Sequence, residues 1–138
     1  MQALGDFAFS GQQGRDDVWM TWFLVVVAGA VGTAARYGIG LAIGPRPFPY
    51  ATLGINVVGS FLIAFVLVVG AEGRLSAQTT TALAVGFLGA FTTYSAFAWE
   101  AVALGRADRL ALAALYVGLS VTLGLLAAAG GYRLGRSL

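Results

Sequence analysis

Residues 75–99 carry no charge, yet their centre reads Gly86-Phe87-Leu88-Gly89-Ala90-Phe91-Thr92-Thr93-Tyr94-Ser95-Ala96-Phe97. A run of that length and apolarity crosses hydrocarbon as a helix, which needs roughly 20 residues. Two glycines and a Thr-Thr-x-Ser cluster stand where such a helix is normally Leu, Val and Ile. Unpaired backbone and hydroxyl groups are penalised heavily in lipid, and irregular backbone at that depth survives only where protein or a hydrated path covers it. The sequence therefore predicts an interrupted membrane helix. Gly86 and Gly89 let the chain leave helical geometry, and the second half-helix starts on Thr92, Thr93 or Ser95 as its cap. The first half ends in free carbonyls. Such an arrangement suits a protein that moves or holds an ion.

Three further charge-free runs, at 18–35, 47–71 and 110–132, are also about the length of a span. Trp19, Trp22, Phe48, Tyr50, Trp99 and Tyr132 mark several of their ends, as interfacial aromatics do. Only 10% of the residues are charged, against about 25% in soluble domains. The expected fold class is an all-α membrane protein of four transmembrane helices with a broken third helix. Expected spans are 18–43, 49–71, 75–103 and 109–134, forming one channel domain over 18–138. Residues 1–17 read as a flexible or weakly helical extension, and with three aspartates against Arg15 they do not read as a signal peptide. Cysteine and histidine are absent, which removes thiol and histidine chemistry and argues against an enzyme. No basic run is present to bind nucleic acid.

Charge placement adds a second constraint. Four spans put Arg15, Arg74, Arg133 and Arg136 on one side of the bilayer and Arg36, Arg46, Arg106 and Arg109 on the other, with no lysine. Orientation follows the Lys/Arg bias of short loops, and here there is almost none. Either Arg36, near the end of its span, counts for little, or the chain inserts both ways and pairs with an inverted copy of itself. The second alternative predicts an antiparallel, dual-topology homodimer.

Several side chains are candidates for work inside the bilayer. Thr52, Asn56 and Ser60 are spaced four apart and share one face of the second span. Asn56 has donors that lipid cannot meet, so it faces another helix or a pore. Tyr94, Phe97 and Glu100 recur every third residue along one stripe. Ring edges are electropositive, so the stripe is either ordinary aromatic packing or a weakly attractive path for a small anion. Glu100 reads equally as an interfacial charge. Tyr116 and Ser120 lie one turn apart on the fourth span, with Gly124 beyond, and either extend a hydroxyl track or bond back to their own helix. Carbonyls at the break can coordinate a small cation. One chain supplies too few of them, and two inverted copies would bring two sets together.

These elements resemble a known family. Gly32-Thr33-Ala34-Ala35-Arg36-Tyr37 after the first span, Thr52-Leu53-Gly54-Ile55-Asn56-Val57-Val58-Gly59-Ser60-Phe61 in the second and the Gly86–Phe97 motif in the third are similar to the Fluc (CrcB) fluoride channels, along essentially all of 18–138. The resemblance implies a dual-topology homodimer with two pores, carrying fluoride passively out of the cytoplasm across the cell inner membrane. It implies pore-lining roles for Asn56, Tyr94 and Phe97, and a polar track of Thr52, Thr93, Tyr116 and Ser120 with Glu100 toward its end. It further implies a structural sodium ion on the backbone carbonyls of Gly89 and Thr92, and a structural or vestibule role for Arg36. Tyr94 stands where the family usually has Phe. A small multidrug-resistance transporter, also four short helices in inverted dimers, is the alternative. It needs a membrane-embedded carboxylate, and the first span has none.

Overall fold

The computed structural model describes residues 15–138. Of the extension expected over 1–17, residues 1–14 lie outside the described residues and 15–17 form the first turn of a helix. Helix α1 (Arg15–Ile43) thus begins three residues before the expected start. Gly44, at φ +67°, turns the chain out of it, a left-handed conformation that costs glycine nothing. After the Pro-rich 44–49 loop, α2 runs Tyr50–Ala71. Gly73, at φ +74°, closes the turn to the third span.

That third span, Ala77–Arg106, is two pieces. Helix α3 is composite: α-helical over Ala77–Thr81, π-helical over Ala82–Leu88 and α-helical again over Gly89–Phe91. Ser76 caps its start, accepting from Thr79 N at 3.1 Å. Helix α4 follows at Tyr94–Arg106, and a short turn leads to α5, Leu110–Ser137. The third helix is therefore broken near its middle, as its sequence predicts.

Packing is governed by glycine at the closest approaches. A Cβ on Gly32 of α1 would collide with the Phe87 carbonyl, and one on Gly131 of α5 with the Phe61 carbonyl. α1 consequently lies against the π-helical part of α3, and α5 lies along α2. Ile55, Val66, Ala84, Leu88 and Phe91 form one core between α2 and α3, and Phe48, Leu104 and Tyr116 a second at the other end. The most apolar windows of α1 and α5 are only 6% buried, and those of α2 and the third span 22%. Trp19, Trp22, Phe23, Leu110 and Leu125 all stand exposed. An apolar surface of that extent belongs in hydrocarbon or against another protein.

Candidate functional site

Thr92 and Thr93 interrupt the third span. Both are extended, Thr92 at φ −77°, ψ 160° and Thr93 at φ −151°, ψ 112°, a conformation β-branched residues favour. Thr92 N still reaches Leu88 O at 3.0 Å. Thr93 N instead meets Asn56 Oδ1 at 2.9 Å, while Asn56 Nδ2 donates to Thr93 O at 3.1 Å. One amide of α2 thereby satisfies both backbone groups of the residue at which the helix opens. Thr93 Oγ1 accepts from Ala96 N at 3.2 Å and caps α4.

The position of the opening corrects the sequence expectation. Gly86 and Gly89 do not unwind: Gly86 lies inside the π-helical stretch and Gly89 is helical at φ −62°, ψ −35°. Gly86 is needed for contact, since a Cβ there would stand 2.7 Å from Val25 O of α1. On the α2 side, Gly59 does the same for the break. The Thr92 hydroxyl donates to Leu88 O at 2.9 Å, and a Cβ on Gly59 would collide with the Thr92 Cγ2 methyl.

Two consequences follow for the carbonyls. In an unbroken helix Gly89 O would take Thr93 N, and Thr92 O would take Ala96 N. Both donors are engaged elsewhere, so these two carbonyls lose their helical partners. Ala90 O, also orphaned, receives Arg36 Nε at 3.1 Å. The guanidinium stands at the carboxyl end of α3, where the helix dipole favours a cation. Sequence reasoning associates Arg36 with the vestibule but gives no sign of this bond, because its partner is a backbone atom in another span. With Arg36 part-buried and bonded to Ala90 O, the ends carry Arg46, Arg106 and Arg109 against Arg15, Arg74, Arg133 and Arg136. At that second end, Glu72 pairs with Arg136 at 3.2 Å and with Arg74 at 3.7 Å.

About two turns beyond the break, both oxygens of Glu100 accept hydroxyls. Thr52 Oγ1 donates to Oε1 at 2.8 Å and Tyr116 OH to Oε2 at 2.6 Å. Tyr116 is fully buried and Thr52 nearly so. Phe97 lies 5.3 Å from the Tyr116 ring and Tyr94 5.9 Å from Phe97, centroid to centroid. The expected stripe therefore exists, but Tyr94 is 80% exposed on the single chain. Ser60 bonds back to Asn56 O at 2.7 Å, which takes it out of the polar face. Ser120 Oγ is buried without a partner among the described residues. A groove of about 430 Å³ between α1, α2 and α4 is lined by Arg36, Thr52, Thr93 and Glu100 among others.

This arrangement offers hydrogen-bond donors and ring edges at membrane depth. Asn56 keeps one N–H free, and Arg36 borders the groove with the rest of its guanidinium. No cluster of three His, Cys, Asp or Glu side chains that could hold a metal occurs among the described residues. A cation at the break would rest on carbonyls.

Residues 23–132 match the family described as CrcB-like protein, Camphor Resistance (CrcB). A protein of Thermus thermophilus named fluoride-specific ion channel FluC is 44% identical over 121 residues, covering 85% of this chain and 94% of its own. Its counterpart in Idiomarina loihiensis is 40% identical over 109 residues, covering 77% and 84%. FluC 2 of Symbiobacterium thermophilum is 43% identical over 114 residues, covering 80% and 93%. With most of its length matched in this way, and the helix-breaking motif in place, the chain belongs to the CrcB-like family.

Proposed function

We propose that this protein is a fluoride-selective channel that lets fluoride leave the cytoplasm passively across the cell inner membrane, limiting its toxicity. The observation that carries the reading is the opening of the third span at Thr92–Thr93, held by Asn56 through two hydrogen bonds. The names of its 40–44% identical relatives, fluoride-specific ion channels, supply the ion. The drug-transporter alternative has no such support, since none of these relatives is named as one.

The working unit is an antiparallel, dual-topology homodimer. The carbonyls of Gly89 and Thr92 support this pairing, because hydrocarbon does not tolerate them bare. Gly89 is also exposed on the single chain. Carbonyl oxygens without protein donors suit a hard cation, and those of two inverted copies would hold a structural sodium ion. Such an ion supplies fixed positive charge between the copies.

Along each path, the free Asn56 N–H and the edges of Tyr94 and Phe97 receive the anion as water leaves it. Tyr94, exposed on the single chain, reaches a path only where a second copy faces it. Thr52 and Tyr116 already donate to Glu100, so an anion there competes with a carboxyl group for their protons. Ser120 Oγ has no such commitment. Growth of a fluoride-hypersensitive bacterial host expressing the chain tests the physiological role. Rescue on fluoride medium is expected. Failure to rescue, with the protein present in the membrane, would contradict it.

A further inference from the structure

A second pocket, of about 220 Å³, lies under the 44–49 loop. It and the larger groove have only Ala51, Thr52 and Glu100 in common. The partition between them is thus the Thr52–Glu100 hydrogen bond and the Ala51 side chain, and each side has its own arginine: Arg36 in the groove, Arg46 at the loop pocket. Arg46 is exposed, its Nε donates only to Ile43 O at 3.3 Å, and among the described residues no carboxylate lies within ion-pair distance of it. Phe48 forms the floor, nearly buried and set edge-on to Tyr116 at 5.5 Å and 83°, so the pocket is walled against the second core. Pro45, Pro47 and Pro49 stiffen the loop, and Pro45 and Pro49 line this space. A water occupies about 30 Å³ of liquid, so the pocket has room for a small anion with part of its hydration shell.

We infer that the pocket under the 44–49 loop is the outer mouth of the anion path, and that Arg46 is the charge that gathers anions into it. This inference rests on the fluoride-channel reading. A fixed cation in a low-dielectric recess raises the local anion concentration and the capture rate, by about tenfold or more in favourable cases. Arg46 is a capture residue, so it acts on the rate at which ions arrive and touches neither the break nor the core. In an inverted pair, each face of the membrane carries one such mouth.

The test is fluoride efflux from proteoliposomes containing the whole chain, as Arg46→Lys, Arg46→Gln and Arg46→Glu, at low and high concentrations of an impermeant potassium salt. The screening length falls from about 30 Å at 0.01 M to about 3 Å at 1 M. At low salt, Arg46→Lys matches the native rate, Arg46→Gln slows it, and Arg46→Glu slows it roughly three- to tenfold. At high salt the four rates converge. Because the chain has no cysteine, Arg46→Cys gives a second readout. A cationic thiol reagent restores the rate, and an anionic one lowers it further. Equal rates for Arg46→Glu and native protein at low salt would overturn the inference, as would a loss of equal size at both salt concentrations. Native protein that carries no fluoride would overturn the channel reading itself, and the inference with it.

Discussion

Replacing Asn56 by leucine keeps the side-chain bulk and removes both hydrogen bonds that hold the break, at 2.9 Å from Thr93 N and 3.1 Å to Thr93 O. An ordinary side-chain bond between membrane helices is worth only about 0.6 kcal/mol, because the unfolded state in the membrane finds other partners. That value underestimates this pair. The groups left behind are a backbone donor and acceptor on an extended segment, and each costs about 1–3 kcal/mol when buried and unmet. Together they give roughly 2–6 kcal/mol. The chain has one escape: Thr93 N can return to Gly89 O and heal the helix, which caps the cost but abolishes the opening. Even the lower figure, about 2 kcal/mol, shifts the balance between open and healed forms by more than tenfold. Fluoride efflux from proteoliposomes should fall by at least about tenfold, with a lowered unfolding midpoint in detergent. Ser60→Ala, which removes a hydroxyl bonded only to its own helix, should leave both unchanged. Efflux within about twofold of native for Asn56→Leu, with an unaltered midpoint, would refute the role given to this amide.

Gly59→Ala sets a methyl against Thr92 Cγ2 and should cost about 1–3 kcal/mol of stability by overpacking; adding Thr92→Ser, which deletes that methyl, should recover most of it in denaturant titration. Arg36→Met removes a charged donor from Ala90 O and should destabilise the fold by about 1.5–3 kcal/mol, measured as a lowered unfolding midpoint. Phe97→Ile removes a ring edge from the path while losing about 0.5–1.5 kcal/mol for each of its pairings with Tyr116 and Tyr94, so flux should drop further than stability. A single cysteine at Asp108→Cys, in the turn before α5, should be labelled about equally from both faces of the membrane, and labelling from one face alone would contradict the inverted pairing.

The spans were legible because hydrocarbon imposes a rule on composition that no tertiary contact overrides: long charge-free runs bounded by aromatics and arginines. The break was legible for the same reason, as small and hydroxylated residues at the wrong depth. Its position was not. Glycine signals freedom in sequence, yet Gly86 serves close contact with Val25 of α1, and two threonines make the opening. A clue was present in Thr92-Thr93, two β-branched residues followed by the helix that Thr93 caps. The Asn56 amide was legible as a group requiring protein, but its partner was not, because it is backbone. The same holds for Arg36 and Ala90 O. The π-helical stretch over Ala82–Leu88 has no sequence signature. It accompanies the tight seat of Gly32 on the Phe87 carbonyl. Glu100 read as an interfacial charge only while Thr52 and Tyr116 were distant in sequence; folding brings both hydroxyls onto its two oxygens.

Fluoride and chloride efflux, recorded side by side from proteoliposomes containing this chain alone, bears most directly on whether the opened helix conducts. Rapid fluoride release with chloride retained is the expected result. Equal release of both ions, or release of neither, would contradict it.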